Sequence, residues 1–172
     1  MGCYHFHLTQ LSRGHGQSAI ASAAYRSGAK LYSSYYGETN DYTRKGGVIL
    51  SEIHLPDHAP ERFKDRETLW NELEWEESNK KAQLAHSFDI AFMNEFSMEE
   101  NIELSRRFVR EQLISRGMIV DGRIQKGTGR NREEESIKTC IVGIIQSNLK
   151  LSRTLRLGWA FLNGRNFVNK SL

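Results

Sequence analysis

Apolar and polar positions alternate along Tyr4–Leu11 (YHFHLTQL). This predicts a strand with Tyr4, Phe6 and Leu8 on one face and His5 and His7 on the other. The next stretch, GHGQSAIASAAYRSG at 14–28, is punctuated by glycine and rich in small residues. It predicts a loop running into a short helix, with Tyr25 near the helix end. Small side chains allow another backbone to come close, whether a sheet or a nucleic-acid strand. Gly14 and Gly16 would offer backbone N–H groups at the helix N-terminus, where a phosphate is favoured. An alternative is a helix simply packed on a sheet, its tyrosine filling space.

Aromatic and β-branched residues broken at Gly37 and at Gly46–Gly47 predict a hairpin-like excursion, then a strand over Val48–Leu55 ended by Pro56. Asp65 starts a predicted helix, DRETLWNELEWEESNKK, with Leu69, Trp70, Leu73 and Phe63 on its apolar side. Lys80 and Lys81 would favour its negative end, and Glu72, Glu74, Glu76 and Glu77 read as a solvated face. Gln83–Phe92 alternates again, His86, Phe88, Ile90 and Phe92 opposing Ser87, Asp89 and Ala91. Ser97 and Glu100 form a capping box. Behind it Leu104, Phe108 and Val109 make a stripe, Gly117 is a suitable stop, and Met118–Ile124 is a short strand. This order is that of an α+β layer, helices packed on a mainly antiparallel sheet. Ile137–Leu172 has no clean period.

At 172 residues the chain is long enough for one domain with a real core. No apolar run approaches the ~20 residues of a membrane span, and the opening MGCYHFHL is no signal peptide. Cys3 and Cys140 form no CxxC pair, so a reduced, cytoplasmic setting without membrane attachment is expected. Charge is uneven. Residues 119–172 carry 10 Lys/Arg against 4 Asp/Glu, and the first 118 carry 14 against 17. A basic tail suits a polyanion, and equally a solvated surface.

Candidate chemistry is sparse. Asp89 is an acidic side chain inside an expected central strand, costly there without a partner. His5 and His7 share a strand face, yet a metal needs a third ligand of known position. Tyr32, Tyr35, Tyr36 and Tyr42 with Arg44 and Lys45 could form a stacking and phosphate surface for single-stranded nucleic acid, or be packing tyrosines.

YHF at 4–6, SRGHGQSA at 12–19, AAYRSG at 23–28, GETNDYTRKGGV at 37–48, SEIHLP at 51–56, DRETLWN at 65–71, NIELSRRFV at 101–109 and SRGMIVD at 115–121 occur in an order and spacing that resembles the N-terminal part of a MobA/MobL-family relaxase. The resemblance implies an α+β relaxase sheet of the His-hydrophobic-His endonuclease type, here incomplete. It implies a plasmid-mobilisation enzyme that nicks single-stranded DNA at a transfer origin, with other relaxosome proteins as further partners. By the same match, Tyr25 is the nucleophile that forms a 5′-phosphotyrosyl bond, and Asp89 is the carboxylate on its strand. Arg13, Gly14, Gly16, Ser18, Arg26, Arg44 and Lys45 are the DNA-binding residues.

A phenol of pKa about 10 is a weak nucleophile at neutral pH, and the family's divalent cation, Mg or Mn, would lower the barrier. Two departures stand out. Ser87 lies where relatives carry an acidic residue, and Gln125 lies where the first metal histidine would fall, with no histidine after His86. The ligand set is therefore incomplete and no metal residue is assigned; nothing in the match supports His5, His7 and His15 as substitutes. The expectation is a relaxase-like portion over 1–121 and a divergent basic tail over 122–172, as a truncation or frameshift would leave. Its strand transfer would be impaired or lost. The alternatives are a non-catalytic DNA-binding remnant and a fragment without activity.

Overall fold

The computed structural model describes residues 6–77, 79–92, 95–126 and 137–144. Ten elements follow in order: β1 (Phe6–Ser12), α1 (Ala19–Ser27), β2 (Lys30–Ser33), β3 (Glu38–Asp41), β4 (Val48–His54), α2 (Arg66–Glu76), β5 (Gln83–Ala91), α3 (Met98–Phe108), β6 (Ile119–Lys126) and β7 (Ile137–Ile144). The large sheet runs β1-β5-β7-β6-β4, every neighbouring pair antiparallel, while β2 and β3 form a separate hairpin. This is the α+β architecture read from the sequence. Ile137–Ile144, for which the sequence pattern supported neither helix nor strand, pairs into the middle of the sheet, and β6 runs across the 121/122 boundary drawn where the family resemblance ends.

Strand side chains alternate between faces, so each face of the sheet acquires its own core. On one face α1 and α2 cover Leu11, Ala85 and Ile119 with Ile20, Leu69, Trp70 and Leu73. On the other, Phe88 and Val120 pack with Val109, Leu113 and Met118 behind α3. The alanines of α1 work as expected: Ala19, Ala23 and Ala24 are all buried. Gly28, at φ 64°, ends that helix in the left-handed region where a side chain is strained.

His5 lies outside the described residues. Along β1 the alternation holds, with Leu8 on one face and His7 on the other, yet His7, Leu8 and Thr9 are all exposed and Leu11, on the His7 side, is buried. The β1–β5 register shifts at Leu11/Ser12. Two expectations are corrected. α2 ends at Glu76, short of Lys80 and Lys81, and Arg13 supplies the cation at its C-terminus, donating to the Glu74 and Glu77 carbonyls. The capping box of α3 is present, with Ser97 and Glu100 each accepting from the other's backbone, but Leu104 and Phe108 are exposed. A π-helical turn over Val109–Leu113 follows α3. Its wider turn shifts the helical phase, so that Val109 and Leu113 face the sheet and the earlier pair does not.

His86 is buried on the α3 side, its Nε2 without a hydrogen-bond partner among the described residues. Burial holds its pKa below the usual 6.5, and His54 is lowered likewise, chiefly by burial. A depressed folded-state value contributes stability that is fully present above the unfolded pKa of 6.5 and is lost as the pH falls toward the folded value. The urea midpoint should therefore drop between about pH 7 and about pH 5, and His86→Phe should drop less than the parent. Equal drops in the two proteins would remove His86 as a cause.

Candidate nucleic-acid site around Tyr25

Tyr25 lies on the last turn of α1 and is 52% exposed. The loop after β3 builds its surroundings. That loop is tied to the helix end by a hydrogen bond from the Tyr42 backbone N–H to the Ala29 carbonyl, and it turns back through Lys45 N–H to the Tyr42 carbonyl. It packs against Gly28, where an added Cβ would lie 3.5 Å from the Lys45 carbonyl oxygen. The Tyr42 ring meets Tyr25 edge-on, centroids 5.3 Å apart. Lys45 Nζ sits 3.4 Å above the centre of the Tyr25 ring and donates to the Tyr25 carbonyl at 2.9 Å, a cation–π contact and a helix cap at once. Arg123, buried on β6, donates through Nη1 to the Arg26 carbonyl. Arg44 is exposed in the same loop, and Arg26 is half-buried. The structure thus gathers Tyr25, Arg26, Arg44 and Lys45, and adds Arg123.

The remaining site residues lie elsewhere or face inward. Arg13 gives its guanidinium to the two α2 carbonyls and stands 4.4 Å from the Tyr35 ring centre. Gly14 and Gly16 are exposed. The N-terminus of α1, where a phosphate was expected, is filled by a carboxylate. Glu74 Oε1 accepts from Ala19 N–H at 2.6 Å, Ile20 N–H at 3.3 Å and Ser18 Oγ at 3.0 Å, while Oε2 accepts from Ser33 Oγ. Glu74 is wholly buried, not part of a solvated acidic face. The tyrosines divide as well. Tyr35 packs edge-on against Tyr36 and Trp75, a cluster separate from the Tyr25–Tyr42 pair.

Asp89 is half-exposed on β5. Its Cα partners are His7 on one side and Cys140 on the other, and Cys140 in turn pairs with Arg123 and Arg123 with Ser51. This cross-strand row belongs to the α1 side of the sheet, and Gln125 falls in the next row on that side, opposite Lys138. The divalent cation implied by the family resemblance does not fit these residues. Among the described residues no three His, Cys, Asp or Glu side chains converge, and the α1-facing row carries a guanidinium in addition to its single histidine and carboxylate.

Sequence reasoning missed Glu74 and Arg123. The signal for Glu74 was present, since it stands four residues after Trp70 and one after Leu73, on the buried stripe of α2. Arg123 had no such signal, because only the pairing of β6 and the position of α1 bring it to that helix end.

The comparisons with known proteins agree with this architecture. A solved structure described as the molecular basis of vancomycin resistance transfer in Staphylococcus aureus superposes with a TM-score of 0.73 at 30% identity, covering 95% of this chain and 90% of that one. The conjugal transfer protein TraA of Rhizobium radiobacter is 40% identical over 131 residues, 70% of this chain and 12% of TraA. The mobilization protein MobL of Acidithiobacillus ferridurans is 33% identical over 121 residues, 70% of this chain and 31% of MobL. The chain therefore spans about an eighth of TraA's length. Among the described residues no helix is long and apolar enough to cross a membrane. The model of the MobA/MobL family matches residues 17–134, more than half of the chain, and the chain belongs to that family.

Proposed function

We propose that this chain is a relaxase-type protein of plasmid mobilisation that binds single-stranded DNA at a transfer origin and carries Tyr25 as the strand-transfer nucleophile. The observation that supports this reading is an exposed phenol, flanked by a lysine ammonium and a cationic loop, in a chain of the MobA/MobL family. The Tyr25 phenolic oxygen attacks phosphorus and forms a phosphotyrosyl ester on the 5′ side. The P–O3′ bond breaks, its electron pair stays on the 3′ oxygen, and that oxygen takes a proton to become a free 3′-OH. The phenol proton leaves to a base, for which Asp89 is the candidate. The ester conserves the bond energy, so the same 3′-OH can reclaim the strand. The Lys45 ammonium over the ring favours the approach of the incoming phosphate.

A second reading has its own support in the incomplete ligand set: a non-catalytic remnant that retains the DNA surface without strand transfer. One assay separates the two. The protein is incubated with a single-stranded oligonucleotide carrying its cognate nick site and Mg²⁺ or Mn²⁺, and denaturing gels are read for a covalent adduct. An adduct lost in Tyr25→Phe is the expected result for the first reading, with yield below that of a complete relaxase. Binding without any adduct in the parent chain would replace it with the second.

A further inference from the structure

The five-stranded sheet ends on β1 at one side and on β4 at the other, and among the described residues neither has an outer neighbour. Backbone N–H and C=O groups that point outward from such a strand have no ladder partner, which makes the edge a template for an added strand. β4, VILSEIH, carries neither lysine nor proline to blunt its edge. Its register against β6 shifts between Val48 and Leu50, so the regular half of the strand is the one that ends at His54. A cleft of about 280 Å³ opens beside that half, lined by Ile53, His54, Leu55, Arg106, Arg110 and Ile114. The end of β4 thus forms one wall, and arginines from α3 and its π turn form the other.

Charge indicates what this cleft accepts. Glu52 is already engaged: Arg106 donates to both its oxygens through Nε and Nη2, and His54 Nε2 stands 3.3 Å from one of them. Glu111 is taken by Arg107 at 2.8 Å. Arg110 is exposed and enters no ion pair among the described residues, so its charge is left over in the lining of the cleft. The pleat sets the rest. Side chains of an added strand would continue the two faces of the sheet. On the α3 face they would meet Arg110, and on the opposite face Ile53 and Leu55, which pack against the core under α1 and α2. A strand that suits both faces alternates acidic and apolar residues. A nucleic-acid strand suits only the arginine, because it has no amide ladder to offer the edge. We propose that an extended acidic segment of a partner protein adds to the outer edge of β4 at Ser51–Leu55, with its carboxylates at Arg110 and its apolar side chains beside Ile53 and Leu55. The proposal goes beyond the strand-transfer reading and does not depend on it.

The test uses the full chain and a fluorescein-labelled peptide of alternating glutamate and valine, with affinity read by anisotropy and the place of docking by amide hydrogen exchange. In the free chain the outward amides of Ser51–Leu55 should exchange fast. The peptide should slow them and leave those of β1, the other edge, unchanged. Arg110→Glu should weaken binding roughly tenfold, since like charges then face each other. A peptide of alternating lysine and valine should prefer Arg110→Glu to the parent, a reversal that misfolding cannot produce. A single-stranded oligonucleotide should not displace the acidic peptide. Slow exchange of the Ser51–Leu55 amides in the free chain overturns the inference, because the edge is then covered by another part of the molecule or by a second copy. Failure of the acidic peptide to bind, protection that spreads equally to β1, or parental affinity in Arg110→Glu overturns it too. Displacement by the oligonucleotide would make the cleft a nucleic-acid contact and likewise overturn it. The Tyr25 adduct is read separately and stands or falls on its own.

Discussion

Glu74→Ala is expected to lower unfolding stability by about 3 kcal/mol, a fall of roughly 6–12 °C in the melting midpoint of a chain this size. The carboxylate is fully buried and takes the first free N–H groups of α1 together with two serine hydroxyls. Removing it leaves the Ala19 and Ile20 donors in the core without an acceptor, and opens a void between α1 and α2. Glu74→Gln, which keeps an acceptor oxygen but places an NH₂ among donors, should fall between the two. Because α1 carries Tyr25 near its other end, adduct yield should fall with stability in Glu74→Ala. A loss below about 1 kcal/mol in urea unfolding, within the ordinary range of a single neutral hydrogen bond, would show that water or a rearranged serine replaces the carboxylate.

The second large effect belongs to Arg66. Its guanidinium grips Asp121 through Nε and Nη2, both at 2.8 Å, and reaches Ser51 at 2.7 Å, while Trp70 Nε1 donates to the same carboxylate at 2.9 Å. The two charged side chains are only 17% and 8% exposed. Arg66→Ala strands a buried carboxylate with one neutral donor, and a loss of about 3–5 kcal/mol is expected. Arg66→Lys should recover part of this, since it restores the charge but not the two parallel bonds. Asp121→Asn combined with Arg66→Ala should cost less than the sum of the single changes, because neither partner is then left charged and alone. Additive losses would mean that the pair is not coupled as its geometry indicates.

Local chemistry explains what could be read before the structure. Ser97 and Glu100 announce a helix start because their bonds lie within four residues, and Gly28 and Gly117 mark helix ends because both sit at positive φ. The alternation in β5 reports its two covered faces. What escaped was set by distant segments. Arg13 resembles a phosphate ligand in sequence, and only the arrival of α2 turns it into that helix's cap. Glu74 was hidden among four glutamates whose composition outweighed its helical phase. The stripe of Leu104 and Phe108 failed because the π turn beyond them changes the phase, and a fixed period cannot anticipate that. At the site, the motif around Tyr25 was legible because it is contiguous, whereas Arg123 reaches it across 97 residues.

The strand order carries a consequence for how the molecule is made. β7 is the last described strand to leave the ribosome, yet it fills the gap between β5 and β6. Until Ile137–Ile144 has emerged, the nascent chain exposes two open backbone edges in its interior, each able to recruit a foreign strand. Closure of the gap joins segments far apart in sequence, which slows folding. Stop codons placed just before Ile137 should therefore yield insoluble material, with the β1–β5 and β4–β6 pairs left as two separate halves.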